Sequence, residues 1–315
     1  MADATLMLNA RIGRRSPRFM PVPVAPPVDM PRARWLALHA RLPGAAVLLL
    51  ALALALWPHW GWMARRMTDG SDEPWGVLAL ITVFVLVARD WRALARPSNA
   101  ALIVTAALAL AAAVARWWLP PLVAGAIAMA ALATFLAGAR PDRPAMPLAT
   151  LLLLALPLIA SLQFYFGYPL RLATAVLAAP VLRALGYAVE AMGAAFAYHG
   201  RLVLVDPPCA GIGMLWVGAY TAALLSYLGN ASAARTLVNG TVAAACVFIA
   251  NVVRNVLLFF PEALALRWPQ QAHALTGLVT FGVALVPLVL VARWAEGRKG
   301  ARWPAWPPRH HRQVA

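Results

Sequence analysis

Between Pro43 and Ala292 the sequence is a succession of apolar runs separated by short polar loops. A helix needs about 20 residues to cross the hydrocarbon of a bilayer, with a range of about 17–25. Eight runs approach or reach that length: Pro43–Trp57, Trp75–Ala88, Ala100–Ala115, Leu119–Ala137, Leu148–Phe166, Ala210–Leu228, Leu237–Phe260 and Ala274–Ala292. The first is short and draws on Trp60 and Trp62 as interfacial anchors. The second reaches the length only with its flanks. Of all residues, 63% are hydrophobic and 12% charged. Soluble domains carry about 45–50% apolar and about 25% charged residues. A soluble globular enzyme, a disordered chain and a disulfide scaffold are thereby excluded, and the two Cys give no disulfide framework. The expected fold is all-α, a polytopic membrane helix bundle of about eight transmembrane helices.

The formal charge of +16 would suggest nucleic acid in a soluble protein. Its distribution says otherwise. Seven Arg lie in residues 1–42, and five Arg with Lys299 lie in the last 23 residues. Such charge holds both ends in the cytoplasm. Residues 1–42, rich in Pro and Arg, read as a disordered basic tail, and 294–315 as a second one. No cleavable leader is evident at the start. All basic residues but Lys299 are Arg, and Ala is abundant, as in a GC-rich bacterial genome. The loops Arg89–Asn99 and Gly138–Pro147 carry Arg and belong inside, while Pro58–Pro74 mixes Arg65 and Arg66 with Asp69, Asp72 and Glu73. With both ends inside, Gly167–Pro208 and Pro261–His273 fall outside. The regions are then 43–147, four spans, and 148–293, the part with the unusual polar residues.

Within Gly167–Pro208, Leu170–Val189 is apolar but carries Arg171, Pro180, Arg183 and Gly186. A central Arg costs a crossing helix about 2.5–3.5 kcal/mol. The segment therefore reads as a short extracytoplasmic helix on the outer surface. Ala195–Tyr198 and Arg201–Val205 follow as extended runs, and His199-Gly200 suits a two-residue hairpin turn.

Three polar features do not belong in a membrane. Cys209 stands in Asp206-Pro207-Pro208-Cys209-Ala210-Gly211, where an extended outer segment meets a helix. A thiol at a helix N-terminus is expected to have a lowered pKa. Asn251, Arg254 and Asn255 share a helix face by their i, i+3, i+4 spacing. Arg254 falls about 9 Å inside the outer end of its run, and the two Asn beside it argue against simple snorkelling. His273 opens the last run, with Gly277 four residues on. Loop charge alone puts Cys209, Arg254 and His273 at one leaflet. A thiolate, a fixed cation and a group titrating near neutrality make a nucleophilic acyl-transfer site. Arg254 would stabilise thiolate or oxyanion, and His273 would move the proton. Gly211, Asn251 and Asn255 are the supporting residues. Cys246, mid-run, reads as packing and His199 as a turn residue. No metal spacing, nucleotide loop or Gly-x-Ser-x-Gly elbow occurs, so no cofactor is expected.

These residues resemble the exosortase/archaeosortase family. The matches are Cys209-Ala210-Gly211, Asn251-Val252-Val253-Arg254, and His273 with Gly277, preceded by Leu185-Gly186 and Gly193. The resemblance covers about Leu148–Ala292. Two departures stand: Ala210 where Ser is frequent, and Ile212-Gly213-Met214 where a basic residue often follows the Gly. The resemblance implies a cysteine transpeptidase or protease of the bacterial cytoplasmic membrane with its site facing outward. Its substrates would be secreted proteins bearing a C-terminal Pro-Glu-Pro-type motif, an apolar helix and a basic tail. They would be held as a thioester and passed to an acceptor, with an exopolysaccharide or a lipid among the candidates. The partners are thus those proteins and the bilayer, not nucleic acid. The alternatives are hydrolysis by the same residues, and a transporter or exopolysaccharide-assembly subunit without catalysis.

Overall fold

A computed structural model describes residues 44–70, 72–264 and 270–297. The basic tails at 1–42 and 298–315 lie outside the described residues. The chain forms ten α-helices among those described: α1 (Gly44–Ala55), α2 (Trp57–Thr68), α3 (Trp75–Arg89), α4 (Asn99–Ala115), α5 (Pro121–Ala139), α6 (Ala145–Leu154), α7 (Ile159–Ala184), α8 (Ile212–Leu228), α9 (Ala233–Ala263) and α10 (Gln270–Gly297). Between α7 and α8 lies a small antiparallel sheet, β1 (Glu190–Ala191), β2 (Ala195–Tyr198) and β3 (Arg201–Leu204), in that order.

Three helices are long and apolar enough to cross a bilayer alone: α5, α7 and α9. The pair α1–α2 passes only together and is bent by 61°. Trp60 Nε1 donates to Ala53 O at 2.8 Å, closing that bend, so Trp60 bonds back onto α1. The helices α3, α4, α6 and α8 and the stretch Leu275–Pro287 of α10 are apolar but shorter. The protein is therefore a multi-pass membrane protein built as a helical bundle, with each of the eight runs falling on one or two helices.

The run Leu148–Phe166 is not one helix. It breaks after Leu154, and α7 starts at Ile159. Pro157 lacks an N–H and disfavours helical backbone before it, which stops the first helix there. The expected separate surface helix over Leu170–Val189 is also corrected. Its residues up to Ala184 are the second half of α7, a continuous 26-residue helix through Pro169 and Pro180. Arg171 does not stand as an uncompensated charge: its Nε reaches Gly167 O (3.3 Å) and its Nη1 reaches Val205 O (3.4 Å).

The two ends of the bundle differ. At one end the loops 90–98 and 140–144 meet: Arg140 bonds Asp90 (3.4 Å) and Asp142 (3.0 Å), and Ala95 N donates to Ala139 O. The Arg143 guanidinium lies 5.8 Å from the ring centroid of Tyr227, at the end of α8. At the other end, Asp72 Oδ1 accepts from Ala160 N at the start of α7, and the Cys209 turn leads into α8. In the sheet, Tyr198 pairs with Arg201, and His199 and Gly200 take φ of 48° and 73°, as a tight two-residue turn requires. The sheet packs on α7 and α9 through Phe196, Val203, Leu182 and Phe259, all buried.

The charged loops predict that the Arg140 end faces the cytoplasm. In a Cys209→Ala/Cys246→Ala background, a membrane-impermeant maleimide should label Arg201→Cys on intact cells. It should label Ser232→Cys only after permeabilisation. The reverse pattern would invert the topology.

Candidate functional site

Four elements converge on Cys209. The strand β3 delivers the chain to it, and Val205 is held from both sides: its N–H donates to Ala194 O, and its carbonyl accepts from Arg171. A single 3₁₀ turn, Pro207–Ala210, follows. Gly211 then takes φ of +80° and opens α8 at Ile212. That left-handed backbone favours Gly. A side chain would also not fit, because a Cβ on Gly211 would stand 2.8 Å from Asn251 Cγ.

Opposite the turn, α9 presents two amides. Asn251 Nδ2 donates to Cys209 O (3.0 Å) and to Thr174 Oγ1 (3.3 Å). Asn255 Nδ2 donates to Cys209 O (3.3 Å) and to Asn251 O (2.8 Å). Asn251, Asn255 and Thr174 are all buried. Positions i and i+4 thus face the turn together. Position i+3, Arg254, is turned toward α10 instead. A Cβ on Gly277 would lie 3.3 Å from Arg254 Nε and 3.4 Å from Cζ, so the guanidinium packs against bare glycine backbone. His273 stands in the first turn of α10, four residues before Gly277 and so on the same helix face. Its side chain lies outside the described residues.

The expectation of a thiol made acidic by a helix N-terminus is corrected. Cys209 lies on the 3₁₀ turn, ahead of α8, and is half-buried. Burial pushes its pKa above the ordinary thiol value, the Arg254 cation pulls it down, and Asp206 and Glu262 push it up. Desolvation outweighs the cation. Cys246 lies mid-way along α9, away from the turn.

Beside the turn is a cavity of about 810 Å³, lined by Gly211, Ile212 and Met214 of the α8 start, by Gly277 of α10, and by Asp72 and Gln163. The start of α8 has no side-chain cap, so its first-turn N–H groups are left for other acceptors. Among the described residues no group of three His, Cys, Asp or Glu could hold a metal. The structure therefore brings together Cys209, Gly211, Asn251 and Asn255, with Arg254 near enough to act on the thiol, and sets His273 on the helix that carries Gly277. Thr174, Arg171 and Asp72 also build the site. Asp72 had a sequence signal in the acidic residues of an otherwise Arg-bearing loop, and Arg171 had one as a charge inside an apolar segment, whereas Thr174 had none.

A multi-pass helical membrane protein with a thiol, an Arg and two amides around one turn is the class of molecule on view. A family model describing transmembrane exosortases matches residues 62–290. The chain belongs to the transmembrane exosortase family. No curated protein and no solved structure matches it.

The thiol gives a direct prediction. In Cys246→Ala protein, the iodoacetamide alkylation rate of Cys209 should rise with pH, with a midpoint above that of an ordinary thiol. Only the thiolate reacts, and burial holds the proton on until higher pH. Arg254→Gln removes the one favourable charge, so the midpoint should move higher still. An unchanged midpoint would place Arg254 too far away to act on the sulfur.

Proposed function

We propose that the protein is an exosortase-type cysteine transpeptidase of the bacterial cytoplasmic membrane. Its substrates are secreted proteins that end in a short Pro-Glu-Pro-type motif, an apolar helix and a basic tail. The observation that carries this reading is the pair of α9 amides on the Cys209 carbonyl, with Arg254 on the same helix acting on the thiol. The family match supports the reaction class.

The depth fits such a signal. Asn251 stands about 27 Å along α9 from Ala233, taking about 1.5 Å per residue. A hydrocarbon core is about 30 Å thick. With the Arg140 end in the cytoplasm, Cys209 reaches the outer boundary, where a substrate helix would emerge. An eight-span topology with both tails inside gives this placement. The bundle of 43–147 then supports a catalytic region over 148–293.

In the reaction, the Cys209 sulfur attacks the carbonyl carbon next to the sorting motif. The developing oxyanion is stabilised by Arg254 and by first-turn N–H groups of α8, where fixed dipoles need no reorganisation. His273 takes the thiol proton and returns it to the leaving amine. The acyl group stays on Cys209 as a thioester until an acceptor or water removes it. Asn251 and Asn255 fix the backbone behind the sulfur, and Gly211 lets the chain turn into α8.

Cys209→Ala should abolish processing of a tailed substrate at matched protein levels, because no other thiol lies at the turn. Cys246→Ala should process normally. Arg254→Lys should restore only part of the activity, since Lys lacks the planar fork that holds two oxygens at once. Full processing by Cys209→Ala would overturn the cysteine mechanism and favour a transporter or assembly subunit.

A further inference from the structure

The sheet ahead of the Cys209 turn has two outer edges, and they are built differently. β1 is two residues long and exposes the charged Glu190. A short, charged edge is the ordinary guard against strand addition. β3 is four residues long, contains no Pro, and after Arg201 exposes the side chains of Leu202 and Leu204. Among the described residues no strand pairs with its outer side.

The hydrogen bonds fix which backbone groups face that side. Tyr198 pairs with Arg201 across the two-residue turn, Phe196 lies opposite Val203, and Val205 N donates to Ala194 O. In an antiparallel pair, residues that exchange bonds alternate with residues that do not. Arg201, Val203 and Val205 therefore turn their backbone to β2, and Leu202 and Leu204 turn theirs outward. The outward set is two N–H donors and two C=O acceptors. Beside β3 lies a groove of about 420 Å³, lined by Arg201, Leu202 and Val203 and by Glu262 and Ala263 at the end of α9. It adjoins the Cys209 site. Cys209 packs against the apolar cluster that contains Val203 and Val205, and the Glu262 charge acts on its thiol.

We propose that the outer edge of β3 receives the extended segment of the substrate that precedes its apolar helix, as a fourth strand parallel to β3. The proposal rests on the substrate reading above and adds where and how that segment docks. Direction supports it. β3 runs from the hairpin tip toward Cys209, and α8 then carries the chain into the bundle. With the Arg140 end in the cytoplasm, a substrate with a basic inner tail runs the same way. Parallel pairing also suits the motif. One substrate residue gives its N–H to Leu202 O and takes the Leu204 N–H on its own carbonyl. Its two neighbours turn their backbone away and need no N–H. In Pro-Glu-Pro only the central residue has an N–H, and the flanking Pro fall where an added strand tolerates them. Main-chain bonds supply the affinity in this mode of recognition.

Leu204→Pro removes one outward N–H and no bond of the β2–β3 ladder. Full-length Cys209→Ala protein, in which no thioester can form, is titrated in detergent with a fluorescent synthetic peptide. The peptide carries Pro-Glu-Pro, the apolar helix and the basic tail, and excess unlabelled peptide defines the specific signal. Adding Leu204→Pro should weaken specific binding by about fivefold, the effect of one lost hydrogen bond. Leu204→Ala keeps the N–H and should weaken it less. A second test leaves the protein untouched. N-methylation of the Glu nitrogen in the peptide should weaken binding by a similar factor. N-methylation of the third residue before Glu, whose N–H faces away, should not. Unchanged affinity of the N-methyl-Glu peptide, or unchanged affinity in Leu204→Pro protein, would overturn the edge site alone. So would a homodimer that Leu204→Pro splits while peptide affinity stays the same, which would give the edge to a second copy. Absence of specific binding by the unmodified peptide would overturn the substrate reading and the edge site with it.

Discussion

Two side-chain amides on one backbone carbonyl hold the site together. The Cys209 carbonyl ends a 3₁₀ turn whose backbone cannot be satisfied by a helix or a strand. A carbonyl shut off from water without a donor would cost about 1–3 kcal/mol. Asn251 and Asn255 meet it from α9, and Thr174 of α7 fixes the first of them. Each bond contributes about 0.5–1.5 kcal/mol net, but together they tie the turn, α7 and α9 into one unit. The backbone that carries the sulfur is thereby held against both helices. Gly211 is the other half of this constraint. Its φ and its contact with Asn251 leave no room for a Cβ, so the chain passes close against the amide that orders it.

Charge follows from the same packing. Because Asn251 and Asn255 are turned to the Cys209 carbonyl, Arg254, one position earlier than Asn255, is turned to α10. Gly277 lets the guanidinium lie on bare backbone there. Burial would by itself keep the thiol protonated, and Arg254 is the group that opposes it. The proton affinity of this thiol is therefore raised by desolvation, opposed by one cation and reinforced by Asp206 and Glu262.

Much of this was legible in the sequence. The apolar runs pointed to helices, because a continuous apolar run in lipid satisfies its own backbone by intrahelical bonding, whereas barrel strands alternate apolar and polar residues. The i, i+3, i+4 spacing placed Asn251, Arg254 and Asn255 on neighbouring parts of one surface. The division of labour among them was not legible, since it depends on which helix lies opposite each. The break at Pro157 was hidden within an otherwise apolar run, Leu148–Phe166. The continuity of α7 through Arg171 was hidden for the opposite reason: the carbonyl of Val205 that receives this Arg is distant in sequence. Thr174 and Asp72 act through partners 77 and 88 residues away, a separation that no local pattern encodes.

The central claim is that the thiol fixed by Asn251 and Asn255 carries the acyl group. The most direct measurement is mass spectrometry of the peptide containing Cys209 after rapid acid quench of protein processing a tailed substrate. The account predicts an acyl adduct on Cys209 that hydroxylamine removes, reduced in Asn251→Leu protein although Cys209 itself is retained. Substrate shortened with no adduct on Cys209, or an adduct on Cys246 instead, would contradict it.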